Sequence, residues 1–186
     1  KITDKCYSNC EFCYQDCDGY GEHCDPELLN ETLKNLPDMT EVVLGGGDIL
    51  TLPEKYMEII HKRSRDLQLS STINGEHYIH KSEKKRRLLN KSLKALGVSV
   101  SSSAGLENFK QILKDFPDIK EIVAHIIPDL LDERQLKKLI VELDGIHKTT
   151  RHDDYQYSTF GAKILLLGFK PTGRANDLAT NHHDWL

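Results

Sequence analysis

Along the chain, short apolar and β-branched runs alternate with longer segments whose apolar positions recur every three or four residues. The first run is KIT at 1 to 3, read as a strand truncated at its start. DPELLNETLKNL (25 to 36) opens with an aspartate cap and a proline at the first helical position, and its leucines fall at helical steps, so it predicts a helix. TEVVLGG (40 to 46) predicts the second strand, and PEKYMEIIHKRSRDL (53 to 67) a helix with its inner face through Met57, Ile60 and Ser64. LSSTING (69 to 75) is the third strand, followed by a basic helix ending near Leu96. GVSVSSS (97 to 103) is the fourth, with LENFKQILKDF (106 to 116) as its helix. IKEIVAHIIP (119 to 128) is the fifth, with LDERQLKKLIVELDGI (131 to 146) after it. Residues 147 to 161 are polar and without period and are expected as a loop, ahead of a sixth strand, AKILLLGF (162 to 169).

Six nearly continuous apolar strands separated by helices imply an α/β fold with a parallel sheet covered by helices. Right-handed crossovers leave two architectures, a doubly wound sheet and a barrel-like curl, and the pattern does not choose between them. Both gather function at the C-terminal ends of the strands. The residues there are CYSNCEFC, GGGD, NGE, SSS, His125 with Pro128, and KPTGR, in strand order.

At 186 residues the expectation is a single domain, 1 to 186, with one core. A formal charge of -4 argues against a general electrostatic grip on nucleic acid or anionic membrane. The one basic run, KKRRLLNKSLK at 84 to 94, carries Leu88, Leu89, Leu93 and Leu96 at helical spacing and reads as a solvated helix face. No apolar stretch approaches the ~20 residues of a membrane span, and KITDKCYSN lacks the apolar centre of a signal peptide, so a cytoplasmic protein is expected. Five cysteines, an odd number bunched between positions 6 and 24, fit metal or cluster ligation better than a disulfide framework.

Cys6, Cys10 and Cys13 form Cys-x3-Cys-x2-Cys in the loop after the first strand. Three thiolates from one short loop can hold three corners of a cubane iron–sulfur cluster and leave the fourth iron without a protein ligand. An open position is what a reactive metal site needs. Two alternatives stand beside this one. A zinc knot could take Cys17, Cys24 or His23 as its fourth ligand, although no second ligand pair follows downstream. An electron-transfer cluster could take Cys17 as its fourth corner.

CYSNCEFC, with Phe12 directly before the third cysteine, resembles the Cys-x3-Cys-x2-aromatic-Cys signature of the radical S-adenosylmethionine (radical SAM) enzymes. The resemblance implies a (β/α)6 partial TIM barrel with the cluster loop after the first strand. It implies that Cys6, Cys10 and Cys13 bind a [4Fe-4S] cluster whose unique iron chelates S-adenosyl-L-methionine, with Phe12 near the adenine. Gly45, Gly46, Gly47 and Asp48 stand where that family has its Gly-Gly-Glu motif, with Asp48 in place of the usual Glu. Asn74 resembles the polar end of the third strand facing the cofactor, and Ser101 and Ser103 the polar pair of the fourth. His125, and Lys170 or Arg174 in GFKPTGR, are further candidate contacts to the cofactor.

The activity implied is reductive cleavage of S-adenosylmethionine to a 5′-deoxyadenosyl radical that abstracts hydrogen from a substrate, with electrons from a flavodoxin- or ferredoxin-type donor. No side chain announces itself as a catalytic acid or base. The substrate is not legible, and peptide or protein modification is one class it leaves open. The loop with His147, His152, Asp153, Asp154, Tyr155 and Tyr157 is the expected substrate contact. Cys17 and Cys24 match no motif position and read as free thiols. The rival reading is a non-catalytic zinc or iron–sulfur binding module on an α/β domain.

Overall fold

Most helices start where the sequence supplies a side chain for the unpaired amides of a first turn. In the computed structural model, which describes residues 1–116, 121–151, 157–161, 163–168, 170 and 172–175, Asp25 accepts from the Leu28 amide and opens α1 (Pro26–Lys34). The chain continues through β1 (Glu41–Leu44) and a short 3-10 turn capped by Asp48 to α2 (Glu54–Arg63). After β2 (Gln68–Asn74), Asn74 caps the short α3 (Gly75–Ile79) and Ser82 caps α4 (Glu83–Ser92). β3 (Ala95–Ser99) leads to α5 (Ser103–Asp115), capped by Ser102. β4 (Glu121–Ile126) leads to α6 (Glu133–Asp144), where Asp132 and Gln135 form a reciprocal capping box. β5 (His147–Arg151) and β6 (Tyr157–Gly161) pair with each other, and β7 (Lys163–Leu166) returns to the main sheet.

That main sheet has five strands, all parallel, in the order β1-β2-β3-β4-β7. The expected α/β class with a parallel sheet is therefore observed. Among the described strands the order never reverses, so the sheet has no switch point of the kind a doubly wound fold uses for its ligand crevice. The N-terminal residues lie parallel beside the end of β1. The Ile2 amide donates to Gly45 O at 2.9 Å, the Gly47 amide to Thr3 O at 2.7 Å, and the Asp48 amide to Lys5 O at 3.0 Å.

Register divides the sheet into two unlike faces. Ile73, Val98, Ala124 and Ile164 share a row, as do Leu44, Ser71, Leu96 and Ile122, and these residues join the main core or lie against it. The inner faces of the helices close over them through Leu29, Met57, Ile60, Phe109, Ile112 and Leu143. The alternate rows are Thr72, Gly97, Val123, Lys163 and Asn74, Ser99, His125, Leu165. Most of these side chains are exposed or half-buried. Among the described residues the expected coat of helices thus covers one face. The strands that read as continuous apolar runs alternate instead, with serine, threonine and asparagine on the uncovered side.

Three further expectations are corrected. The fourth strand starts two residues and ends four residues earlier than expected, so Ser101 falls beyond it in the connection and Ser103 is the first residue of α5. The basic helix stops at Ser92, because Lys94 donates to Leu69 O and Ala95 already pairs with Ser70; Leu96 belongs to the sheet. The segment expected as a loop after α6 contains the antiparallel pair β5 and β6, built from threonines and aromatics of high strand propensity, with Thr149 opposite Thr159, Phe160 opposite Lys148 and Tyr157 opposite Arg151. Residues 152–156, including His152, Asp153, Asp154 and Tyr155, lie outside the described residues.

Candidate functional site

The cysteine segment leaves the edge of the sheet where residues 2–5 run beside β1. It is shaped by its own backbone: the Cys6 amide donates to Asp18 O at 2.6 Å, the Cys13 amide to Cys10 O at 3.1 Å and the Asp16 amide to Cys13 O at 3.3 Å. Asn9 and Asp16 take positive φ, +43° and +55°, the left-handed turns that short polar side chains tolerate. All five cysteines are free; Cys6, Cys10 and Cys13 are half-buried. Burial pushes the Cys10 thiol up, and the neighbouring Cys6 and Cys13 push it further, as expected of thiols that feel one another. The Cys17 amide donates to Cys13 Sγ at 3.4 Å. Cys17 itself is buried, with its thiol against Gln15 O, and burial followed by the Cys13 charge pushes it up to about 11.

A second segment closes on this loop from the far end of the chain. The Arg174 amide donates to Cys13 O at 3.2 Å, its Nε to Cys10 O at 3.2 Å and its Nη2 to Cys17 O at 2.6 Å, while Nη1 pairs with Asp16 at 2.9 Å. Gly173, at φ +58°, lies so close that a Cβ there would meet Cys13 O at 2.7 Å. Lys170 is exposed, its ammonium over the Tyr14 ring at 4.9 Å from the centroid. Arg174 is thus turned onto the loop, while Lys170 remains at the surface beside it.

The strand ends complete the surroundings. Gly46, at φ +127°, would clash through any Cβ with Thr3 O, and Gly47 with Lys5 O; these glycines admit the N-terminal segment. Gly45 meets nothing within 4 Å. Asp48 is buried, and both its oxygens are engaged: Oδ1 accepts from the Leu50 amide at 2.9 Å and Oδ2 faces His77 Nδ1 at 2.6 Å. Asn74 caps α3 with its oxygen and donates through Nδ2 to Ser8 Oγ at 3.0 Å, joining the cysteine loop to the end of β2. His125 lies on the uncovered face beside Thr72 Oγ1, 3.5 Å from Nδ1, and burial lowers its pKa. Ser101 and Ser103 are exposed at the start of α5, and Phe12 is half-buried in the loop.

The structure therefore brings Cys6, Cys10, Cys13, Asn74, Lys170 and Arg174 around one loop and sets His125 on the adjoining face. His77 and Ser8 escaped sequence reasoning, since one histidine and one serine carry no local signal of a partner tens of residues away. Among the described residues no three His, Cys, Asp or Glu side chains form a group able to hold a metal ion. His23, a candidate fourth zinc ligand, faces Thr3 Oγ1 through Nδ1 at 2.8 Å. Cys6, Cys10 and Cys13 stand on one loop as three free, half-buried thiols, soft donors of the type that zinc and iron–sulfur clusters both take. Among the described residues no helix is long and apolar enough to cross a membrane. The chain matches no protein-family model and no curated protein.

Proposed function

We propose that the chain is a radical SAM core domain, and that its parallel sheet is the wall of a (β/α)6 partial barrel. The observation that carries this reading is the placement of three free, half-buried thiols in Cys-x3-Cys-x2-Cys order on one loop that leaves the edge of a parallel sheet and is joined to the end of β2 through Ser8 and Asn74. Strands in unbroken chain order, covered by helices on one side, support the curl.

Cys6, Cys10 and Cys13 would hold a [4Fe-4S] cluster. With S-adenosyl-L-methionine bound, such a cluster supplies one electron for reductive cleavage and hence the 5′-deoxyadenosyl radical that abstracts hydrogen from a substrate. This chain's own groups do the holding and the shielding. The Cys17 amide, hydrogen-bonded to Cys13 Sγ, stabilises negative charge on that sulfur. Gly45 has open space on its Cβ side where a ligand could approach, while Gly46, Gly47 and Asp48 act from behind by fixing the N-terminal segment and the turn after β1. Thr72, Ser99 and His125 offer hydroxyls and an imidazole on the uncovered face. Asn74 ties the loop to that face through Ser8. Phe12, Ser101, Ser103 and Lys170 keep their proposed roles near the cofactor. A flavodoxin- or ferredoxin-type donor and a cytoplasmic setting belong to the same reading.

Anaerobic reconstitution tests it. The expected result is a brown protein that, with dithionite, converts S-adenosylmethionine to methionine and 5′-deoxyadenosine, and loses this on replacing Cys6, Cys10 or Cys13 with Ala. Cys24→Ala retains it. A colourless, zinc-loaded protein without cleavage would establish the binding-module alternative.

A further inference from the structure

We infer that Arg174 is a positioning residue for the cysteine loop, a clamp that fixes the backbone between Cys10 and Cys17 and, on the reading proposed above, holds the cluster and raises its reduction potential. The geometry is unusually concentrated. One residue contributes four contacts to four loop residues: its amide to Cys13 O, Nε to Cys10 O, Nη2 to Cys17 O and Nη1 to Asp16. Two of these carbonyls belong to the second and third cysteines of the motif. The third, Cys17 O, belongs to the residue whose amide donates to Cys13 Sγ, so the guanidinium also fixes the position of a donor to sulfur.

Three oriented N–H donors from a guanidinium are worth more than three independent ones, because the planar fork loses little freedom for each bond formed. Gly173 makes the approach feasible: its positive φ and missing side chain let residues 172–174 lie against the loop, where Thr172 Oγ1 also donates to Tyr14 O at 3.3 Å. Outer-sphere contacts of this kind orient the ligands of a metal centre, and their removal typically costs 10- to 100-fold in affinity. A fixed positive charge beside the loop favours the more negative, reduced state of a cluster, so its removal lowers the potential.

The test uses the full chain as wild type, Arg174→Ala, Arg174→Lys and Gly173→Ala, each checked for an unchanged circular dichroism spectrum and cooperative melt. In the metal-free protein, alkylation of Cys10 and Cys13 by iodoacetamide, followed by mass spectrometry, should accelerate roughly 10-fold in Arg174→Ala and Gly173→Ala. In the reconstituted protein, chelator-driven loss of cluster absorbance should accelerate by a similar factor in both variants. Redox titration followed by electron paramagnetic resonance should give a more negative potential in Arg174→Ala, while Arg174→Lys, which keeps the charge but loses the fork, stays near wild type. Wild-type alkylation, cluster loss and potential in all three variants would overturn the clamp. Failure of the wild type itself to take up iron and sulfide would instead overturn the functional reading, and the alkylation rates would still decide whether Arg174 fixes the loop.

Discussion

At Gly97 the uncovered face is at its tightest. A Cβ there would meet His125 Nε2 at 2.7 Å and Thr72 Oγ1 at 2.8 Å, so the imidazole lies across β3 only because that position has no side chain. Gly97→Ala should destabilise by about 1–3 kcal/mol, and by clearly less in a His125→Ala background, a coupling that urea denaturation of the two singles and the double would measure. The same packing sets a pH response. Burial lowers the folded-state pKa of His125 below its ordinary 6.5, so the unfolded chain binds the proton first as pH falls. The stability held by the neutral ring is complete above the unfolded value and is lost as pH falls through it toward the folded one. Melting temperatures between pH 7.5 and 5 should therefore decline, and less steeply in His125→Gln; an equal slope in both proteins would remove His125 as a source.

Between elements, what the sequence disclosed depended on separation along the chain. The cysteine spacing and the Asp25 cap with its proline are signals complete within a few residues, and both were legible. The clamp of Arg174 on Cys10 and the bridge from Asn74 to Ser8 span 164 and 66 residues and leave no periodic trace. Ser101 and Ser103 were placed on a strand because GVSVSSS has no local stop; the Ser102 cap and the pairing of Ser99 with His125 decided the boundary. The Asn74 junction can be dissected because its two ends act separately. Ser8→Ala removes only the bridge and should cost about 0.5–1.5 kcal/mol. Asn74→Ala also removes the cap on α3 and should cost about 1 kcal/mol more by chemical denaturation. Equal losses would mean that the cap contributes nothing to so short a helix.

For the molecule as a whole, the βα rhythm revealed the class and the parallel sheet, because apolar periodicity reports burial. It did not reveal that, among the described residues, one face is left without helices, since serine, threonine and glycine within apolar strands read as tolerated interruptions. The two faces can be separated at adjacent residues of β3. Val98 is fully buried under the helices and Ser99 is exposed on the opposite side. Val98→Asp places an unpaired charge in the core and should cost about 4 kcal/mol or more, whereas Ser99→Asp should stay within about 0.5 kcal/mol. Ser99→Trp carries the contrast to function. On the proposed reading, a bulky side chain on the uncovered face should leave the melt and cluster content near wild type but abolish cleavage of S-adenosylmethionine. If that variant turned over normally with an intact cluster, the uncovered face would not be where the cofactor lies, and the proposed barrel wall would lose its support.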